Sequence, residues 1–396
     1  MTTESKLSFD DTAVAFATKS DAELLKMYTL FAAMNNNFLV KKGGNLVQRA
    51  FKWGLPVKFV VKPTIFQHFC GGENLLECNQ AIQSLGKANV GTILDYSVEG
   101  ENNENSFDRT TKEVLATIEK ANTSQFIPFS VFKVSGIADS RVLEKVQANE
   151  ILTPQEEKAY ARARNRMETL CHRAHQYGVA ILVDAEESWF QEVIDTLTYE
   201  MMAKYNREKA IVYNTYQLYR HDRLEVLQRD YQKAVQHNYF IGAKLVRGAY
   251  MEKEARRAAE QGYSNPINST KEASDALFNE ALTFCVEHLD RIAICAGTHN
   301  EASSYLLVDL MEKHGITPND KRIYFAQLYG MSDNLSYNLA HAGYNVAKYV
   351  PYGPVEAVIP YLLRRAEENT AIAGQSSREF NLIKKEMQRR KALKSA

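Results

Sequence analysis

The sequence predicts an α/β fold, a (βα)8 barrel of the TIM type with an amino-terminal helical arm and carboxyl-terminal helices. Two observations carry the prediction. From about Asn89 onward, short β-branched runs alternate with long amphipathic segments, and eight such runs follow one another. Glycines at Gly178, Gly315 and Gly343 each stand just after a helical pattern and shortly before a run, where a left-handed residue closes a helix.

Residues 1–88 read as the arm: Asp21 to Val40 is helical in pattern, and Trp53 to Phe69 mixes helical and apolar segments without strand alternation. Residues 89–370 carry the eight runs. They are Gly91 to Asp95, Pro128 to Lys133, Val179 to Asp184, Ala210 to Asn214, Ile241 to Val246, Ile292 to Cys295, Arg322 to Ala326 and Asn345 to Tyr349. The acidic stretch Glu99 to Asp108 reads as a surface loop. Ala138 to Glu157 is longer than a minimal connection and reads as an insertion after the second run. It ends in Thr153-Pro154-Gln155-Glu156, a capping box with proline at the first helical position. Residues 371–396 form a basic helix or tail: Lys384 to Lys394 holds six basic residues against the single acid Glu386. Beside Leu382, Ile383, Met387 and Leu393, that charge suits either contact with an anionic bilayer or a solvated helix packed on the body.

Lysine plus arginine and aspartate plus glutamate number 48 each, so no global charge speaks for nucleic acid as partner. Five scattered cysteines, Cys70, Cys78, Cys171, Cys285 and Cys295, lack metal-ligand spacing and read as free thiols of a reducing compartment. Nine histidines without an H-x-H or H-x-x-x-H arrangement give a metal site no support. Met1 to Asp11 resembles neither a secretory signal nor a transit peptide, and no uncharged apolar run reaches about eighteen residues. The expectation is a cytoplasmic chain, soluble or peripheral on the inner face of a membrane.

In a barrel of this kind the reacting groups come from the carboxyl ends of the strands. Here Lys133 ends the second run, Asp184 the third, Gln217 follows the fourth, Lys244 and Arg247 lie in and after the fifth, Thr298-His299-Asn300 follow the sixth, Gln327-Leu328 the seventh, and Tyr349 ends the eighth. Charged groups finishing buried strands are costly unless paired or bound to a ligand. Farther on, Tyr361-Leu362-Leu363-Arg364-Arg365 places adjacent guanidiniums beside tyrosines, a planar fork suited to a carboxylate.

Two segments together resemble the proline dehydrogenase family: Lys244-Leu245-Val246-Arg247-Gly248-Ala249-Tyr250, and Tyr361-x-x-Arg364-Arg365-x-x-Glu368-Asn369, in the family's order. The resemblance spans about Asn89 to Asn369. It implies FAD-dependent oxidation of L-proline to 1-pyrroline-5-carboxylate, with a quinone-type electron acceptor. By the same resemblance Arg364 and Arg365 hold the substrate carboxylate, while Tyr250, Leu328, Tyr349 and Tyr361 shape an apolar slot. Lys133 and Asp184 complete its polar wall. FAD falls to Gln217, Lys244, Val246, Arg247, Gly248, Ala249, Thr270, Lys271, Thr298, His299, Asn300, Gln327 and Glu368. A helix start at Ser269-Thr270-Lys271 offers hydroxyls, backbone N–H groups and an ammonium to phosphates. The general base stays open between bulk water and Asp184 acting through water.

Lys244 stands where many members have arginine, and Met251 where many have tryptophan, which bears on redox tuning. Tyr349 stands where relatives acting on hydroxyproline tend to have serine, which favours proline. No nicotinamide fingerprint of the Gly-x-Gly-x-x-Gly type is present. The remaining alternatives are another flavin barrel oxidoreductase, such as hydroxyproline dehydrogenase or a methylenetetrahydrofolate reductase relative, and a catalytically inactive, membrane-associated binding protein.

Overall fold

Buried on both faces, strands of a parallel barrel are written as nearly continuous apolar runs, and Ile181-Leu182-Val183 shows the pattern, each residue fully buried. The computed structural model describes residues 7–34, 49, 53, 57–98, 102–371 and 375–395, without the side chains of residues 60 and 364–377. Eight parallel strands follow in order around a closed barrel. They are β1 Val90–Tyr96, β2 Phe129–Lys133, β3 Ala180–Asp184, β4 Val212–Gln217, β5 Ile241–Val246, β6 Ile292–Gly297, β7 Ile323–Leu328 and β8 Val346–Tyr352.

Five strands, β1, β4, β6, β7 and β8, run farther than their sequence pattern suggests, and the ends of β4, β7 and β8 bear most on the rim. Gln217 is the last residue of β4, Gln327 and Leu328 lie inside β7, and β8 continues three residues past Tyr349 to Tyr352. Backbone pairing overrides side-chain polarity at these ends. Gln217 pairs with Val246, and the β1–β8 ladder holds through Tyr96 and Tyr352.

The chain divides into two compact units, Glu101–Ala326 and the remainder, Met1–Gly100 with Gln327–Ala396. In the first, the Phe129 ring meets Tyr213 and Tyr324 edge-on at centroid distances of 5.4 and 4.9 Å. Gly242 makes this layer possible, because a Cβ there would come within 2.5 Å of the Tyr213 ring. The predicted capping box is present. The Thr153 side chain accepts from Glu156 N–H, and Glu156 returns the bond at the start of the helix Pro154–Tyr177, which Gly178 closes at φ 65°. Gly315 and Gly343 also have positive φ. The insertion contains a helix, Ser140–Gln147.

In the second unit the helix Asp21–Met34 packs through Leu24, Met27 and Phe31 on Leu382 and Ile383 of the helix Gln375–Ser395. Glu386 is wholly buried there and pairs with Arg389 and Arg390, each at 2.7 Å. Arg390 also donates to the carbonyls of Phe16 and Lys19, which ties the basic helix to the amino-terminal residues. All five cysteines are buried, and none is in a disulfide. Among the described residues no helix is long and apolar enough to cross a membrane.

Candidate active site

The register of the ladders sets the first cluster. Lys133 at the end of β2 pairs with Asp184 at the end of β3, and Lys244 lies in β5 opposite Thr215, two pairing steps before the last pair of β4 and β5. Asp184 accepts from both lysines, from Lys133 Nζ at 2.7 Å and Lys244 Nζ at 2.6 Å. Burial works against the ionised carboxyl, but the two ammonium charges and their hydrogen bonds outweigh it and hold Asp184 far below the usual carboxylate range. The charged strand ends therefore satisfy one another. An Asp184 this firmly ionised is a poor proton acceptor and a strong anchor.

Gln217 extends the cluster to β4. Its Nε2 donates to the Glu186 carbonyl at 2.7 Å and to the Tyr219 hydroxyl at 2.8 Å. Its Oε1 is buried with no partner among the described residues. A buried amide oxygen left unsatisfied costs about 1–3 kcal/mol, so it marks a place where a ligand N–H would be welcome.

Arg247 follows β5 and is already engaged. Its guanidinium meets Asp275 at 2.6 Å, Thr298 Oγ1 at 2.9 Å and Ser303 Oγ at 2.8 Å, and lies 4.2 Å from the centre of the Phe278 ring. Asp275 also receives Lys271 at 2.6 Å, one turn earlier on the same helix. The segment beyond Val246 and Arg247 exposes Gly248 and Ala249. Gly248 has φ 86°, a backbone state that glycine alone adopts freely, and a Cβ there would meet nothing nearer than Met251 Sδ at 4.0 Å. Conformation, more than crowding, is the local need for glycine.

Two helices begin beside these groups. Thr270 caps Lys271–Glu287 by accepting from Ala273 N–H, and Asn300 caps Glu301–Lys313 by accepting from Ser303 N–H. Thr298 Oγ1 accepts from Asn300 N–H at 3.1 Å, and His299 between them is half-buried. Thr270 and Lys271 are exposed at the first of these helix starts, with the Lys271 ammonium on Asp275. Tyr250 stays protonated: burial drives its pKa well up, with Lys133 opposing.

In the other unit, Leu328 packs against a cluster that includes Tyr361, Leu362 and Val358. Tyr349 is buried and its carbonyl accepts from Tyr329 N–H at 2.9 Å. Gln327 Oε1 accepts from Ser336 Oγ at 2.8 Å. The side chains of Arg364, Arg365 and Glu368 lie outside the described residues, although their backbone belongs to the helix Val355–Ala371.

Sequence reasoning missed Glu186, Ser135, Tyr219, Asp275 and Ser303. Asp275 had a visible signal in its i,i+4 spacing from Lys271, and Glu186 in the acidic run that follows Asp184. Ser135, Tyr219 and Ser303 had none, since their partners are far away in sequence.

A closed parallel barrel whose strand ends converge on an anchored carboxylate, two lysines and an unsatisfied amide defines the class, a (βα)8-barrel enzyme. Comparison with known proteins names the family. The family model "Proline dehydrogenase" matches residues 78–378. "Proline dehydrogenase 1, mitochondrial" of Dictyostelium discoideum is 33% identical, covering 96% of this chain and 74% of that one. "Carbapenem antibiotics biosynthesis protein CarD" of Pectobacterium carotovorum is 36% identical over 81% of this chain and 83% of that one. Among solved structures, proline utilization A from Bdellovibrio bacteriovorus aligns with TM-score 0.72 at 18% identity, over 93% of this chain. The chain spans 40% of that longer protein, and the likeness bears on the fold. The chain belongs to the proline dehydrogenase family, whose members are oxidoreductases acting on proline.

Proposed function

We propose that this chain oxidises L-proline to 1-pyrroline-5-carboxylate with FAD as the immediate acceptor and a quinone-type molecule as the final one. The observation that carries the reading is the convergence of Lys133, Asp184, Gln217 and Lys244 at successive strand ends of a chain in this family. The residues present fit FAD. The unsatisfied Gln217 Oε1 suits the ring's imide N–H, and Lys244, Val246, Arg247, Gly248 and Ala249 would line the ring. Thr270, Lys271, Thr298, His299 and Asn300 would serve the phosphates and ribose, with Gln327 and Glu368 as further contacts. When bound, FAD supplies a two-electron acceptor for the hydride leaving the ring carbon next to the proline nitrogen.

The chain's own residues bind and orient. Arg364 and Arg365 hold the carboxylate by charge-assisted bonds, and Tyr250, Leu328, Tyr349 and Tyr361 shape the slot for the ring. Asp184 fixes the Lys133 and Lys244 ammonium groups as positive charge where electron density accumulates. The proton lost from the substrate nitrogen goes to solvent, because the two lysines leave the Asp184 carboxylate little basicity. Peripheral contact with a membrane would fall to exposed Lys384, Lys391 and Leu393, since Leu382 and Ile383 are used in packing.

The test is product analysis. Incubation with L-proline and an artificial electron acceptor should yield 1-pyrroline-5-carboxylate by mass spectrometry. Absence of product with proline, alongside product from hydroxyproline, would move the assignment to the hydroxylated substrate.

A further inference from the structure

Glu186 lies two residues beyond Asp184 and is buried, and every polar handle it has is in use. Its Oε1 accepts from the Ser135 N–H at 2.9 Å and its Oε2 from the Ser135 hydroxyl. Its own N–H donates to Gln191 Oε1 at 2.6 Å, and its carbonyl accepts from Gln217 Nε2 at 2.7 Å. Three strand ends meet in this one residue: β2 through Ser135, two positions after Lys133, β3 through its own backbone, and β4 through Gln217. Facing the carboxyl are Lys133 and Ser135 from the β2 end, Tyr250 from the segment after β5, and Glu187 beside it.

We infer that Glu186 is a positioning residue for proline oxidation, a role that depends on the flavin-dependent reading above. Its carboxyl pins the Lys133-bearing strand end through Ser135 while its carbonyl fixes the Gln217 amide meant for the flavin. Burial pushes the carboxyl up to about 7, with Glu187 adding to the rise and the Ser135 donors and Lys133 opposing it. Near neutrality it therefore changes charge, and the ionised form adds a negative charge beside Lys133 and Tyr250. A purely structural carboxyl would titrate without moving KM.

The experiment compares the full chain loaded with FAD against Glu186→Gln and Ser135→Ala, each followed by the pH profile of KM and kcat for L-proline and by infrared difference spectra. Glu186→Gln keeps the size and one acceptor for Ser135 but cannot ionise. In the parent chain a protonated-carboxyl band should disappear as pH rises through about 7, with an inflection in KM at the same pH. Glu186→Gln should lose both the band and the inflection. Ser135→Ala removes a donor that favours the ionised form, so it should move both upward in pH. If the parent turns over proline and Glu186→Gln keeps the parent's KM profile, the inference fails alone. If the parent neither binds FAD nor oxidises proline, the flavin-dependent reading fails and the inference falls with it.

Discussion

Lys244 Nζ lies 2.6 Å from Asp184 Oδ1, with both side chains buried. Neither charge could be placed there alone. Removing one partner of a buried ion pair leaves the other uncompensated, typically at about 3–5 kcal/mol. Asp184→Asn should therefore lower the stability of the chain by roughly that amount in urea unfolding. The linkage has a definite sign. Asp184 has a depressed folded pKa, so its contribution is present above the unfolded value of about 3.9 and is lost as pH falls below it toward the folded one. The difference between parent and Asp184→Asn should shrink in that acid range. An unchanged unfolding midpoint at neutral pH would contradict the pairing.

His68 predicts a second pH window. Its Nε2 is 2.8 Å from the Gly330 carbonyl, with Phe31 and Phe69 edge-on to the ring. Burial lowers its pKa to about 4, with Asp333 opposing. The unfolded chain takes up this proton from about pH 6.5 downward and the folded chain does so only near 4, so stability falls as pH drops through that window. Subtracting the profile of His68→Gln from that of the parent should isolate this slope. A flat difference between pH 6.5 and 4 would exclude a buried neutral imidazole.

Gly248 tests backbone conformation apart from crowding. At φ 86° with open space where a Cβ would sit, Gly248→Ala should cost about 1–2 kcal/mol of strain without any clash. Calorimetry should show a lower melting temperature, and FAD affinity should weaken because the loop after β5 is displaced. Unchanged values in both would mean that the loop relaxes freely.

The paired arginines give the prediction closest to substrate. Charge-assisted bonds of this type contribute about 1.5–3 kcal/mol, so Arg364→Met and Arg365→Met should each raise KM for L-proline about 10- to 100-fold while the flavin content is retained. If KM holds and the flavin is lost instead, the arginines serve the cofactor.

The barrel was legible because apolar runs and helix punctuation are local signals: Gly178 and the Thr153 box stand where their patterns place them. Strand ends were less legible. Gln217, Gln327 and Leu328 look like loop residues by polarity or position, yet they belong to ladders formed with residues distant in sequence. The same limit hides pairings. The sequence places Lys133, Asp184 and Lys244 at strand ends, but that one carboxylate serves both lysines depends on the register of three strands. Arg247 reads as a flavin contact, and its partners Asp275, Thr298 and Ser303 lie too far along the chain to be read with it. Glu186 shows in the sequence only through the acidic run after Asp184, since its partner Ser135 lies 51 residues away.

The most direct test of the central claim is the visible spectrum of the purified chain, supplemented with FAD and recorded before and after anaerobic L-proline. The account predicts a protein-bound oxidised-flavin band that bleaches on adding proline. A bound flavin that proline does not bleach would refute the substrate, and no bound flavin even in excess FAD would contradict the account at its root.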